Sequence, residues 1–328
     1  MLERICGASG VSGNEDEVRD LLKDMCKDYS TETDVMGNLL VETGGNGKKI
    51  LLAAHMDEVG FIISGIEDNG FLRFKTVGGI DIGVIIGKRV IIGDKKVPGI
   101  IGIKAVHLQK KDDSAPAEDE LYIDIGAENK DEASAVVNLG DYASFEPLFV
   151  KFGNNLLASK ALDDRAGCAV LTEELKRNAG KNLCLAFTAQ EEVGCRGAAI
   201  AAERFQPDVA LVVETTICQD VFPTNLNKTP TKLGEGPVLT FLDRTSVPDR
   251  EVIESLTETA RKHKIPFQYK KTNMGGTDAG SISRAAEGIP TAIVALPCRN
   301  LHSPVTVISL DDYNNLIKLI DLWLKDIG

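Results

Sequence analysis

The stretch Ile50-Leu51-Leu52-Ala53-Ala54-His55-Met56-Asp57-Glu58 decides the fold. Five apolar residues in a row read as a buried strand, and a histidine and two carboxylates follow at its end. Three later runs repeat the form. Leu183–Ala189 leads into Gln190-Glu191-Glu192, Val209–Val213 into Glu214, and Thr291–Leu296 into a short loop to His302. Helical patterns lie between the runs, over Arg165–Arg177, Arg196–Phe205 and Arg250–Lys264. A final helix is predicted over Asp311–Asp326, with Ser309 as its N-cap and Tyr313, Leu316, Ile317, Ile320 and Leu324 on one face. Near the start, Ser12 and Glu15 have capping-box spacing, and Val18, Leu21, Leu22 and Met25 fall on one stripe, which predicts a helix over 12–28. Strands alternating with helices make an α/β fold, a mixed sheet with helices on both faces.

Residues 62–150 have another texture. Short runs rich in Gly, Val and Ile, such as Phe71–Thr76, Val84–Ile86, Arg89–Ile92 and Gly99–Lys104, are separated by turn residues. They predict a small β-rich domain or barrel inserted into the α/β domain, which is thereby split into 1–61 and 151–328. The charged segment Lys110–Glu120 reads as an exposed loop.

Composition narrows the function. The 328 residues include 37 Lys+Arg and 49 Asp+Glu, a net charge of −12, which argues against a nucleic-acid backbone or an anionic membrane surface as partner. No run approaches the roughly 18 apolar residues of a membrane span, and no targeting signal opens the chain. The seven cysteines are scattered with no CxxC pair, which predicts neither a disulfide framework nor a cysteine-rich zinc site and suits a reduced, cytoplasmic setting.

The chemistry sits at the strand ends. In open α/β sheets ligands bind outside the carboxyl ends of the strands. Five segments, those ending in His55, Glu191-Glu192, Glu214 and His302 together with Asp163-Asp164-Arg165 before a helix, could deliver imidazoles and carboxylates to that one edge. Taken singly, each has an ordinary explanation. A histidine at a strand end is usually structural, an acidic pair opening a helix favours its dipole, and two glutamates make a surface turn. Their joint placement has no such explanation. Of the other histidines, His263 lies in a polar helix and reads as exposed, and His107 reads as a structural residue of the insert. Cys168 and Cys195 read as small buried residues.

Five stretches resemble the M42 family of metallo-aminopeptidases, which includes the tetrahedral TET and the glutamyl aminopeptidases. They are Ala54–Gly60, Lys160–Arg165, Gln190–Gly194, Gly275–Gly280 and His302-Ser303-Pro304, and they occur in order along nearly the whole chain; the opening Gly10–Glu15 is also similar. The resemblance implies two divalent ions per subunit, with His55 on one, His302 on the other, Asp163 bridging, and Glu192 and Glu214 as terminal ligands. Two imidazoles and three carboxylates suit Zn²⁺, Co²⁺ or Mn²⁺. By the same resemblance Glu191 is the general base on a water bridging the ions, and Asp57 serves catalysis by accepting the N–H of His55 and fixing its tautomer. Thr277 and Asp278 are either substrate contacts or packing residues, and Asp220 with Lys232–Pro237 either lines the substrate side or makes a turn. Relatives commonly carry Asp where this chain has Glu214, a residue longer by one methylene.

The implied activity is removal of N-terminal residues from short peptides. The implied assembly pairs subunits through the insert into dimers, and dimers into a hollow dodecamer. An N-acyl amino acid deacylase would use the same two-metal site, and a non-catalytic assembly protein would keep the fold without needing Glu191. A glycosidase would leave the metal-ligand pattern unexplained.

Overall fold

The computed structural model describes residues 1–105, 116–178, 180–221 and 229–327. Its centre is an eight-stranded mixed sheet. The strands run in the order Ser30–Thr33, Leu39–Glu42, Lys181–Thr188, Asn46–His55, Val209–Ile217, Thr291–Cys298, Val238–Leu239 and Gln268–Tyr269. The four inner strands, from Lys181–Thr188 to Thr291–Cys298, are mutually parallel, and antiparallel neighbours flank them.

Alternation within the inner strands explains the two layers of helix. Ile50, Leu52 and Ala54 point into one apolar core, where they meet the helices Leu162–Arg177, Arg250–Lys262 and Leu310–Ile327. Leu51 and Ala53 point the other way, into a smaller core that includes Ala198, Ala201 and Ala202 of the helix Ala198–Phe205. A strand buried on both faces has no polar alternation, which is why these segments read as continuous apolar runs.

The insert forms a closed six-stranded barrel, in the order Gly60–Ile66, Leu72–Val77, Leu121–Asp124, Val97–Ile103, Arg89–Ile92 and Tyr142–Phe145. Phe61, Phe74 and Phe145 pack edge to face at its centre. Phe149–Phe152, at the end of the predicted insert, instead pairs with Leu156–Ser159, which pairs in turn with Thr306–Ser309.

Several local expectations change. Val84–Ile86 belongs to no strand; Asp81 caps a short helix, Ile82–Ile85, by accepting from the Gly83 N–H. The N-terminal segment carries two helices, Leu2–Gly7 and Asp16–Met25. Ser12 and Glu15 make no capping box; Ser12 donates to Asp57 at 2.6 Å, and Glu15 accepts from the Gly13 and Gln190 N–H groups. These polar groups therefore serve the site rather than the helix. Ser309 does cap the last helix, accepting from the Asp312 N–H. His263 is half-buried at the end of its helix, while His107 and most of Lys110–Glu120 lie outside the described residues. Glu118, at the described end of that segment, is tied to Lys75 and Thr76.

Candidate active site

The parallel strands bring four of the five segments to one edge. His55 is the last residue of its strand and lies in register with Thr188, two residues before the Gln190–Glu192 turn. Glu214 lies within its strand rather than beyond it, because Thr215, Thr216 and Ile217 continue the pairing with the strand Thr291–Cys298. β-branched residues favour this extension. Asp163 and Asp164 open the helix Leu162–Arg177 with non-helical backbone angles, and the peptide between them is cis. His302 follows the strand Thr291–Cys298 with φ at +56°. Ala161, Gln190 and Cys195 are also left-handed, so four such non-glycine residues stand in or beside the site, where backbone strain is commonly held.

Asp163 lies between the two histidines. One of its oxygens is 3.2 Å from His55 Nε2 and the other is 3.5 Å from His302 Nε2. Glu214 approaches the same His55 nitrogen at 3.5 Å, and Glu192 approaches the same His302 nitrogen at 3.3 Å. The result is two half-sites, His55 with Glu214 and His302 with Glu192, sharing one aspartate. His55, Asp163 and Glu192 also form one group of donors within 4.8 Å of one another, and His55, Asp164 and Glu214 another. Asp164, which the sequence offers only as part of the Asp163–Arg165 segment and with no role of its own, is fully buried, with one oxygen accepting from the Gly167 N–H and the other without a partner.

The ring nitrogens on the far side set the tautomers. His302 Nδ1 is 2.9 Å from the Gly79 carbonyl, and His55 Nδ1 faces the Asp57 carbonyl at 3.2 Å and an Asp57 carboxylate oxygen at 3.4 Å. These groups only accept, so both Nδ1 atoms donate and both Nε2 atoms are left to face carboxylates. A neutral Nε2 lone pair against a carboxylate oxygen is repulsive unless a proton or a cation stands between them. With protons alone, the cluster compensates by large shifts. Contact with Asp163 raises His302 to about 10. Burial disfavours the His55 cation, yet Glu214, Asp163 and Asp57 outweigh it and push His55 well up. Burial opposes ionisation of Asp163, but the two histidines hold its carboxyl far below the usual range. Burial, with the Asp163 charge, lifts Glu192 to about 8, and burial raises Glu214. The donor set thus fits divalent cations, which would take the place of the protons on imidazole and carboxylate alike.

Asp57 has a larger part than its assigned contact. Its two carboxylate oxygens accept from the Glu191 and Glu192 N–H groups at 3.0 and 3.1 Å and from Ser12, so it grips the backbone of the acidic turn as well as facing His55. Asn38 holds the other end of that turn, accepting from Ala189 N–H and donating to the Gly197 carbonyl. A Cβ on Gly197 would lie 2.1 Å from Asn38 Oδ1, so only glycine admits this clasp.

A cleft of about 700 Å³ opens over the site, lined by His55, Asp163, Glu191, Glu192, Glu214 and His302 among others. Burial raises Glu191 well above the usual carboxylate range, with Glu214 and Asp278 adding to it. Thr277 lines the cleft but donates to Asp243, and Asp278 lies beneath, accepting from Thr188 at 2.5 Å. Asp220 and Lys232–Pro237 do not line the cleft. Asp220 pairs with Arg299, and the Gly234 and Gly236 N–H groups donate to Asp312, so this is a structural turn. Cys168 is buried as expected, but Cys195 is half-buried and lines the cleft.

Comparison with known proteins agrees with this architecture. Residues 37–319 match the model of the M42 glutamyl aminopeptidase family. A putative aminopeptidase of Acetivibrio thermocellus is 40% identical over 326 residues, covering 98% of this chain and 96% of that protein. The crystal structure of a TET aminopeptidase from the marine sediment archaeon Thaumarchaeota archaeon SCGC AB-539-E09 superposes with a TM-score of 0.93 at 34% identity, covering 100% of this chain and 98% of the other. The TET1 peptidase of Pyrococcus horikoshii, which can assemble into a tetrahedron or a large octahedral shell, gives a TM-score of 0.88 at 34% identity, with 98% and 97% covered. With the fold and nearly its whole length in common with these peptidases, the chain is a hydrolase acting on N-terminal residues and belongs to the M42 aminopeptidase family.

Proposed function

We propose that the protein is a two-metal aminopeptidase of short peptides. The observation that carries this reading is the Asp163 carboxylate placed between His55 and His302, with Glu214 on one side and Glu192 on the other. One divalent ion would be held by His55, Asp163 and Glu214, the second by His302, Asp163 and Glu192. Zn²⁺, Co²⁺ and Mn²⁺ suit these ligands. When bound, the ions supply Lewis acidity, polarising the scissile carbonyl and acidifying water.

The chain's own residues do the rest. Glu191 lines the cleft beside Glu192 and accepts the proton of the attacking water, then returns it to the leaving amine. Asp57 positions Glu191 and Glu192 through their backbone N–H groups and orients His55. Thr277, in the cleft wall, contacts the substrate, and Asp278 supports that wall from below.

In this reading 1–61 and 151–328 form the catalytic domain and 62–150 the unit that pairs subunits into dimers, which close into a dodecamer. The barrel segment supports it by exposing Ile100, Val136 and Leu139. Such a cage, with the clefts facing inward, would admit only short or unfolded peptides. The setting is the cytoplasm, which suits seven free cysteines. Among the described residues no helix is long and apolar enough to cross a membrane.

A substrate panel tests the activity. Aminoacyl-anilides and free peptides should be hydrolysed, their N-acetylated counterparts and a soluble cellulose should not, and a chelator should abolish the rate until Zn²⁺, Co²⁺ or Mn²⁺ is returned. Equal rates on free and acetylated substrates would replace this reading with a deacylase or an endopeptidase.

A further inference from the structure

Beside the two half-sites, in the cleft wall and just beneath it, stands a third set of donors. Glu191, Cys195 and Asp278 each present one ligand atom within 4.8 Å of the others. Cys195 Sγ is 3.1 Å from Glu191 Oε1. Of the seven cysteines it alone is not buried. Its backbone is fixed: its N–H donates to the Glu191 carbonyl at 2.8 Å, its own carbonyl accepts from Ser281 at 3.2 Å, and its φ is +52°. Asp278 is 1% exposed; Thr188 holds one of its oxygens, and the other, Oδ1, is buried with no donor. A thiol proton shared with Glu191 leaves that oxygen unsatisfied, and a buried carboxylate oxygen without a partner is costly. A cation among the three groups gives them a common partner and compensates a buried carboxylate that is only half satisfied.

We propose that Glu191, Cys195 and Asp278 form a third cation site, distinct from the two half-sites, which takes a thiolate-seeking divalent ion and silences the enzyme. One thiolate and two carboxylates differ from the imidazole–carboxylate set of the half-sites in favouring Zn²⁺ supplied in excess, or Cd²⁺. On binding, Cys195 releases its proton to solvent and forms the sulfur–metal bond, and no electron is transferred. Glu191, with its lone pairs on the ion, can no longer accept the proton of water. The inhibition therefore rests on Glu191 being the general base, whereas the binding does not.

The test titrates the metal-loaded enzyme and its Cys195→Ala variant with Cd²⁺. It follows the ultraviolet cadmium–thiolate band, alkylation of the accessible thiol by iodoacetamide, and hydrolysis of an aminoacyl-anilide. The wild type should show one saturable band, protection of one thiol, and a rate that falls as the band grows. The variant should stay active, lack the band, and, measured against its own rate without Cd²⁺, need at least about tenfold more Cd²⁺ for the same fractional inhibition, the loss expected when a metal site is deprived of even a supporting contact. Cys195→Ser, closer in size, repeats the comparison if the alanine protein folds poorly. No band, or the same band in wild type and variants, overturns the site. A Cys195-dependent band with an undiminished rate leaves the site standing and overturns both the silencing and the role of Glu191.

Discussion

At the scale of single residues, the site gives neighbouring carboxylates separate surroundings, which the proposed mechanism turns into separate jobs. Glu192 faces His302, whereas Glu191 faces the open cleft and Cys195. Replacing Glu191 by Gln should cut kcat by about 10²–10⁴-fold, the usual worth of a general acid–base group, while metal analysis of the purified protein finds the wild-type content. Asp57→Asn should act differently. It turns an NH₂ toward one of the two backbone N–H donors that Asp57 now accepts, so the acidic turn and His55 lose their common anchor. A loss of about 10–100-fold in metal affinity is expected, visible as a rate recovered by excess metal, which Glu191→Gln would not show. The gathering of these residues at one edge was legible in the sequence, because His55, Glu191, Glu192 and His302 each follow an apolar run closely. The second job of Asp57 was not. A carboxylate that grips the backbone of a turn 134 residues away leaves no local pattern. Nor was Asp164 legible, since an acidic pair at a helix start ordinarily serves the helix dipole.

At the scale of elements, the buried strands and most helices were legible from period and length, while ends and caps were not. The Val209–Ile217 strand outran its apolar core because threonines extend a ladder without looking apolar. Ser12 and Glu15 had the spacing of a cap yet were recruited by Asp57 and by the turn before Glu191. A second element-level device joins three segments behind the site. Glu58, just past the Asn46–His55 strand, receives Lys160 Nζ at 2.6 and 2.8 Å and Arg165 at 3.3 Å, and the two cations also donate to the carbonyls of Ile5 and Ala8 at the end of the first helix. All three charged side chains are buried. Glu58→Gln would strand two cations in the interior. It should lower unfolding free energy by about 3–5 kcal/mol, read from the urea transition of the metal-loaded protein. Lys160 and Arg165 flank Asp163-Asp164 in sequence, so this brace sits directly behind the shared aspartate.

At the scale of the whole molecule, removing metal should make stability fall as pH rises. Glu192, raised to about 8, and Asp278, raised to about 7 chiefly by burial, hold protons more tightly in the folded chain than in the unfolded one. Their contribution is complete below the ordinary carboxylate range and is lost as pH climbs through those values. His302, raised to about 10, acts in the same sense, being complete below its ordinary value and lost toward about 10. Asp57 and Asp163, held low, lose their contribution only in acid and do not oppose this trend at neutral pH. The melting temperature of the metal-free protein should therefore decline from about pH 5 to about pH 9, and the increment from saturating Zn²⁺ or Co²⁺ should grow over the same interval. Calorimetry across that range checks both. The barrel enters through the contact that sets the His302 tautomer, because Gly79, which accepts from that ring, lies two residues past the barrel strand Leu72–Val77. In the proposed assembly, a subunit paired through its barrel should hold that half-site more firmly, and linkage makes the effect reciprocal. Sedimentation should show chelation shrinking the assembly, and dilution below the assembly threshold should release metal. Confinement would then be self-enforcing: a stray subunit, the one peptidase copy that could reach folded neighbours, would be disarmed by its own solitude.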